Sequence, residues 1–131
     1  MNHRNVARFG AWIAAFTLAG GMRGAAAHHA GNAFDTSNPQ TVSGTVQQFY
    51  WTNPHTWIYL LVDSPQGQQE YRFEGMSVSI LARAGWTSGS LKPGDKITVT
   101  YAPYKDDRKG GEYRTVVTAS GETVGAGRAS L

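Results

Sequence analysis

Cysteine is absent from this chain of 131 residues. Disulfide staples, thiolate nucleophiles, redox pairs and Cys-based zinc sites are therefore excluded. Also missing are G-x-S-x-G, H-E-x-x-H and the phosphate-binding P-loop, so no standard catalytic motif is present. No apolar run approaches the roughly 20 residues that cross a bilayer. Carboxylates are missing altogether from the first 27 residues, and only four histidines occur in the whole chain.

What stands in those first residues is a basic start with Arg4 and Arg8, then the apolar stretch AWIAAFTLAGGM from Ala11 to Met22, then Ala25-Ala26-Ala27. Basic, apolar and small-residue parts in that order predict a secretory signal peptide over 1–27, cut after Ala27. A retained anchor or an amphipathic helix is the alternative. Cleavage changes the electrostatics. Of the 12 Lys+Arg, three (Arg4, Arg8, Arg23) leave with the signal, and the remaining nine match the 9 Asp+Glu. The basic balance of the chain belongs to the export signal, so a nucleic-acid partner is not expected. Nor is a membrane partner once the signal is gone. The expected location is periplasmic or secreted, and the remaining 104 residues make one domain.

Residues 28–40 are small and polar with Phe34 as the sole apolar anchor, which predicts an irregular arm. Alternation begins after Pro39. Val42, Gly44 and Val46 share one face, but Phe49 and Trp51 fall on the other, so the phase slips near Gln47-Gln48 as at a β-bulge. After the Thr52-Asn53-Pro54 turn, His55 to Asp63 reads as a strand that is apolar on both faces. A hairpin turn at 64–67 leads to Gln69–Glu74, with Tyr71 and Phe73 inward and Glu70, Arg72 and Glu74 outward. Met76, Ile80, Leu81 and Ala84 have helical spacing, closed by Gly85 with Trp86 beyond it. Lys96–Tyr101 alternates again, a polar loop spans Lys105 to Gly111, and Glu112–Ala119 is the last strand.

The order β-β-β-α-β-β, with a strongly curved first strand, predicts an all-β, five-stranded OB-like barrel over 41–119, with one short helix between strands 3 and 4. A small sandwich is the alternative. Val42, Val46, Leu60, Tyr71, Phe73, Ile97, Val99 and Val116 are the expected interior, the helix should plug one end, and a flexible tail should follow from 120 to 131.

The chemistry-bearing residues are few. Glu70 and Glu74 lie four strand positions apart, about 13 Å, too far to act as a pair, and read as a solvated face. The histidines are more telling. Cleavage after Ala27 would give His28 a free α-amine beside its own imidazole, and a second imidazole would complete a three-nitrogen histidine brace for copper. A cut one residue earlier makes His29 the third residue, the position for a square-planar Cu(II) or Ni(II) site. Cu(II) is favoured by such nitrogen donors, and Asp35 could add a weak carboxylate. An ordinary polar His-His pair in an arm is the alternative.

His55 sits in FYWTNPHTWIY between Trp51 and Trp57. In an OB barrel this is the loop between strands 1 and 2, with Tyr104 and Lys105 in the companion loop between strands 4 and 5. Eleven residues from Asn32 to Val42 span about 35 Å when extended, enough to bring the arm to that rim.

The segments HHA…FD, TVSGTVQQFYWTNPHTWIYL, ARAGWTSGSLKPGDKITVTYAPYKD and GGEYRTV resemble a group of short exported bacterial proteins, domain of unknown function 6152. Ala30 stands where that family has a serine after its two histidines. The resemblance implies an exported OB-like domain and brings no activity with it. Two readings follow from the residues. One is a binding domain with copper held by His28, His29 and His55. The other is a metal-free ligand or protein-interaction module that uses Trp51, Asn53, Trp57, Tyr59 and Tyr104. An oxidative copper enzyme is a third, disfavoured because nothing else in the chain points to a substrate.

Overall fold

Gln47 is the residue around which the barrel curls. In the computed structural model, which describes residues 33–125, β1 (Gln40–Tyr50) runs antiparallel to β2 (Trp57–Ser64). The register steps from Val46 opposite Leu60 to Gln48 opposite Tyr59, leaving Gln47 as the extra residue. That step turns both Val46 and Phe49 inward although they are three positions apart. Curvature also brings β2 so close that a Cβ on Gly44 would collide with the Leu61 carbonyl and the Leu60 side chain. The first half of β1 pairs instead with β4 (Lys96–Pro103).

β2 and β3 (Gly67–Glu74) form a hairpin, β4 and β5 (Gly110–Thr118) a second antiparallel pair, and β3 meets β5 in parallel. The strand order β1-β2-β3-β5-β4 returns to β1 and closes an OB-like barrel. The parallel ladder is short: Arg72, Phe73 and Glu74 lie opposite Gly110, Gly111 and Glu112. At Gly110 (φ 110°) a Cβ would run into the Arg72 backbone, so glycine permits this approach. A second bulge, at Arg114, puts Tyr113 and Val116 both inside.

Val46, Leu60, Phe73, Ile97, Val99 and Val116 are buried as expected, while Val42 and Tyr71 are half-buried against them. Ile58 is buried as well, which fixes the phase of β2: Ile58 and Leu60 face in, and Trp57 and Tyr59 face out. Each such burial contributes about 1.5–3 kcal/mol.

The one helix among the described residues, α1 (Val78–Arg83), lies between β3 and β4. It is shorter than the spacing suggested. Met76 precedes it and Ile80 points out, so Leu81, with Trp86 and Leu91 beyond the helix, carries the contact to the core. Trp86 N–H donates to Leu81 O at 3.0 Å and Gly85 N–H to Ala82 O at 3.1 Å, with Gly85 at φ 88°. These two bonds make a Schellman cap that folds Trp86 back under the helix.

Both ends of the described chain lie on the barrel. Asp35 N–H donates to Pro103 O at 2.8 Å and Lys105 N–H to Ala33 O at 2.9 Å, so the arm runs beside the end of β4. Residues 120–125, expected to begin a flexible tail, turn back on β5: Thr118 N–H donates to Glu122 O and Val124 N–H to Val116 O.

Candidate functional site

The outer side of β2, β3 and β5 carries two clefts, one lined by Phe34 and the other by Tyr104. These two rings pack against each other with centroids 5.1 Å apart.

The first cleft, about 280 Å³, is where His55 lies. Gly75 N–H donates to Thr56 O at 2.8 Å and Thr56 N–H to Met76 O at 3.1 Å, clamping the β1–β2 loop against the end of β3. Thr56 is fully buried beneath, and its hydroxyl donates to Met76 O at 3.0 Å. Its single proton is thereby used, so the Tyr113 hydroxyl, 2.7 Å away, is the donor to Thr56 Oγ1. Burial pushes the Tyr113 phenol up to about 12.

On this clamp the His55 ring is held by one nitrogen. Nδ1 lies 3.0 Å from Gly75 O and 3.3 Å from Glu74 Oε1. A carbonyl can only accept, so Nδ1 carries a hydrogen, and Nε2 is the ring nitrogen that can offer a lone pair to another partner. Imidazole N–H given to a carbonyl or carboxylate is the usual outer support of a metal-binding histidine. Glu74, Glu112 and Arg114 line the same cleft, and Arg114 pairs with Glu112 at 2.8 Å, so the lining has one more carboxylate than guanidinium. Among the described residues, no three His, Asp or Glu side chains gather as a metal-binding group. A metal here would need ligands from beyond them.

The second cleft, about 420 Å³, brings together Trp57, Tyr59 and Tyr104, with Arg72, Arg108, Lys109 and Glu70 around them. Arg72 donates to Glu70 at 2.6 Å and lies 4.9 Å from the Tyr59 ring centre. Arg108 bridges both Asp106 oxygens from Nε at 2.9 Å and stacks 3.8 Å from the Tyr104 ring centre. The Arg108 bonds hold the Asp106 carboxyl below its usual range, and burial raises the Tyr104 phenol.

The residues singled out in the sequence are thus divided among several places. His28 and His29 lie outside the described residues. His55 stands at the rim beside Phe34. Trp51 does not flank it: its ring packs 5.8 Å from Phe49, against the core. Trp57 belongs with Tyr59 and Tyr104 in the second cleft. Asn53 accepts the Val78 N–H at 3.1 Å, the helix-capping bond that Ser77 does not supply. Asp35 is engaged by the Ser37 amide and hydroxyl, which holds its pKa low.

Glu74 is the important omission, since it is not solvated but lies 17 % exposed beside His55. The turn at 64–67 fixes the hairpin register that sets Glu74 opposite Trp57, two residues from His55, so the signal was present. Arg72 and Arg108 gave no local signal, because the parallel ladder joins segments far apart in sequence.

No curated protein and no solved structure matches the chain. Its sequence fits one family model across residues 16–113, from before the arm to the fifth strand. The chain belongs to that family, the Family of unknown function (DUF6152).

Proposed function

We propose that this is an exported binding protein that holds copper between the His55 imidazole and the histidines of the processed N-terminus. In this reading signal cleavage after Ala27 makes His28 the first residue. Its α-amine and imidazole chelate from one side, and His55 Nε2 supplies the third nitrogen.

The observation that carries the reading is the fixed ring of His55. With Nδ1–H given to Gly75 O and Glu74 Oε1, Nε2 is the ring nitrogen without a hydrogen-bond partner among the described residues, in a cleft with a carboxylate excess. Phe34 supports it further. It lines the same cleft and lies six positions after His28 in sequence, a reach of at most about 20 Å. Nitrogen donors of this kind bind Cu(II) more tightly than the other common divalent ions. Copper supplies electron-transfer and ligand-exchange chemistry when bound, and this chain's own residues orient the imidazole and hold the arm.

The test is a matched set titrated with Cu(II): protein beginning at His28, the same chain acetylated on its α-amine, and one with an added N-terminal residue. Acetylation should weaken binding by orders of magnitude, and His55→Ala should do the same in the first protein. The extended chain makes His29 the third residue, so its Cu(II) site should be square-planar and indifferent to His55→Ala. Equal affinity across the set would remove the amine from the site.

A further inference from the structure

Trp57 is used neither by the core nor by the His55 cleft. It is half-buried on the outer face of β2. Trp51 and Trp86 both pack on Phe49, whereas the Trp57 indole has no ring partner among the described residues. It forms one wall of the second cleft.

The polar groups around it are almost all donors. Guanidinium has five N–H groups and no acceptor. Arg72 spends its Nε on Glu70 and Arg108 spends one edge on Asp106, while Tyr59 and Tyr104 fix the two planes from below. Each planar fork is therefore oriented in advance, with N–H groups remaining. Lys109 adds an exposed ammonium. Among the described residues these three cations face one lining carboxylate, Glu70, with Asp106 paired to Arg108 beside the cleft.

We infer that this cleft binds an acidic saccharide, with a pyranose ring stacked on Trp57 and its carboxylate set against the Arg72 and Arg108 forks. Indole offers a flat apolar face suited to the C–H face of a sugar ring. Ring and hydroxyl oxygens accept from the surrounding donors, and the second oxygen of Glu70 accepts a hydrogen bond from a sugar hydroxyl. A small inorganic anion would use the cations and leave Trp57 idle. A neutral sugar would use Trp57 and leave the forks in water. A uronate uses both. The volume, about 420 Å³, falls within the range of small-molecule sites.

The experiment titrates the full processed protein with digalacturonate, with cellobiose as the neutral control and with inorganic phosphate. Heat is read by calorimetry, and the Trp57 indole N–H by NMR, assigned through Trp57→Phe. Digalacturonate should bind and shift the Trp57 signal, and its affinity should fall as salt is added. Arg108→Gln and Lys109→Glu, both at exposed side chains, should each reduce it by about tenfold or more, the loss of one charge-assisted contact. His55→Ala should leave it unchanged, which separates this cleft from the copper reading. Equal binding of cellobiose, a phosphate response equal to that of digalacturonate, no binding of digalacturonate, or undiminished affinity in both charge variants would each overturn the inference.

Discussion

The Glu74 carboxylate lies 3.3 Å from Nδ1 of His55, near enough to share that ring hydrogen with the Gly75 carbonyl at 3.0 Å. Both acceptors come from the end of β3, so the strand that closes the barrel also sets the direction of the imidazole. Glu74→Gln keeps an acceptor oxygen and removes the charge. Cu(II) affinity should drop by roughly 10–100-fold with the fold intact, the usual effect of losing an outer support. Competition against a chelator measures it, and unchanged affinity would leave Glu74 with a packing role alone.

Phe34 is 6 % exposed, and its ring is the main apolar tie between the arm and the barrel. Phe34→Ala should free the arm without opening the barrel. Amide exchange at Asp35 and Lys105 should quicken, while Val99 keeps its protection. Copper affinity should fall with the arm. If the core amides lose protection equally, the arm and barrel form one cooperative unit.

Alkali should destabilise the protein through Tyr113. Its folded pKa is about 12 against an ordinary value of 10, so the fold favours the protonated phenol. That contribution is complete below about pH 10 and is lost as pH rises through about 12. Tyr113→Phe should flatten this decline. At neutral pH it should cost about 0.5–1.5 kcal/mol for the lost bond to Thr56. Melting temperature against pH for both proteins decides it, and an identical slope would sink the assignment.

Gly75 leaves no room for a side chain, because a Cβ would collide with the Tyr113 ring. Gly75→Ala should cost about 1–3 kcal/mol, as overpacking does, and should weaken Cu(II) binding by displacing the His55 acceptor. Denaturant titration and copper titration of the same sample test both halves. Full stability would mean that the ring can move aside freely.

Ile97→Asp should abolish folding. Ile97 is 3 % exposed in the apolar core, and an unpaired carboxylate there costs several kcal/mol against a total stability of about 5–15 kcal/mol. Loss of amide dispersion in NMR is the expected result, and a native-like spectrum would count against the interior assignment.

The barrel was legible in the sequence wherever a strand has one wet face. The alternation in β3 and β4 and the slipped phase at Gln47 are the imprint of such faces. β2 resisted, because Trp57, Tyr59 and Leu61 cover the outside as fully as Ile58 and Leu60 fill the inside. Without its phase, Trp51 and Trp57 looked like two walls of one site, although one serves the core and the other the surface. Met76 and Ile80 misled in the opposite sense, since helical spacing does not say which face docks when the helix is only six residues long. At the site, His55 stood out by its rarity. Glu74 needed the hairpin register, and the arginine forks needed the closure of the barrel.

That closure has a clasp. Eight residue pairs join β2 to β3, but only three join β3 to β5. The two clefts flank this short ladder: Glu74 and Glu112 line one, and Arg72 and Lys109 line the other. A molecule seated in either cleft therefore touches both sides of the fastening and holds it shut. Spontaneous unfastening would release the same molecule. Occupancy and barrel integrity thus form one equilibrium, and amide exchange along 72–74 and 110–112 is its gauge.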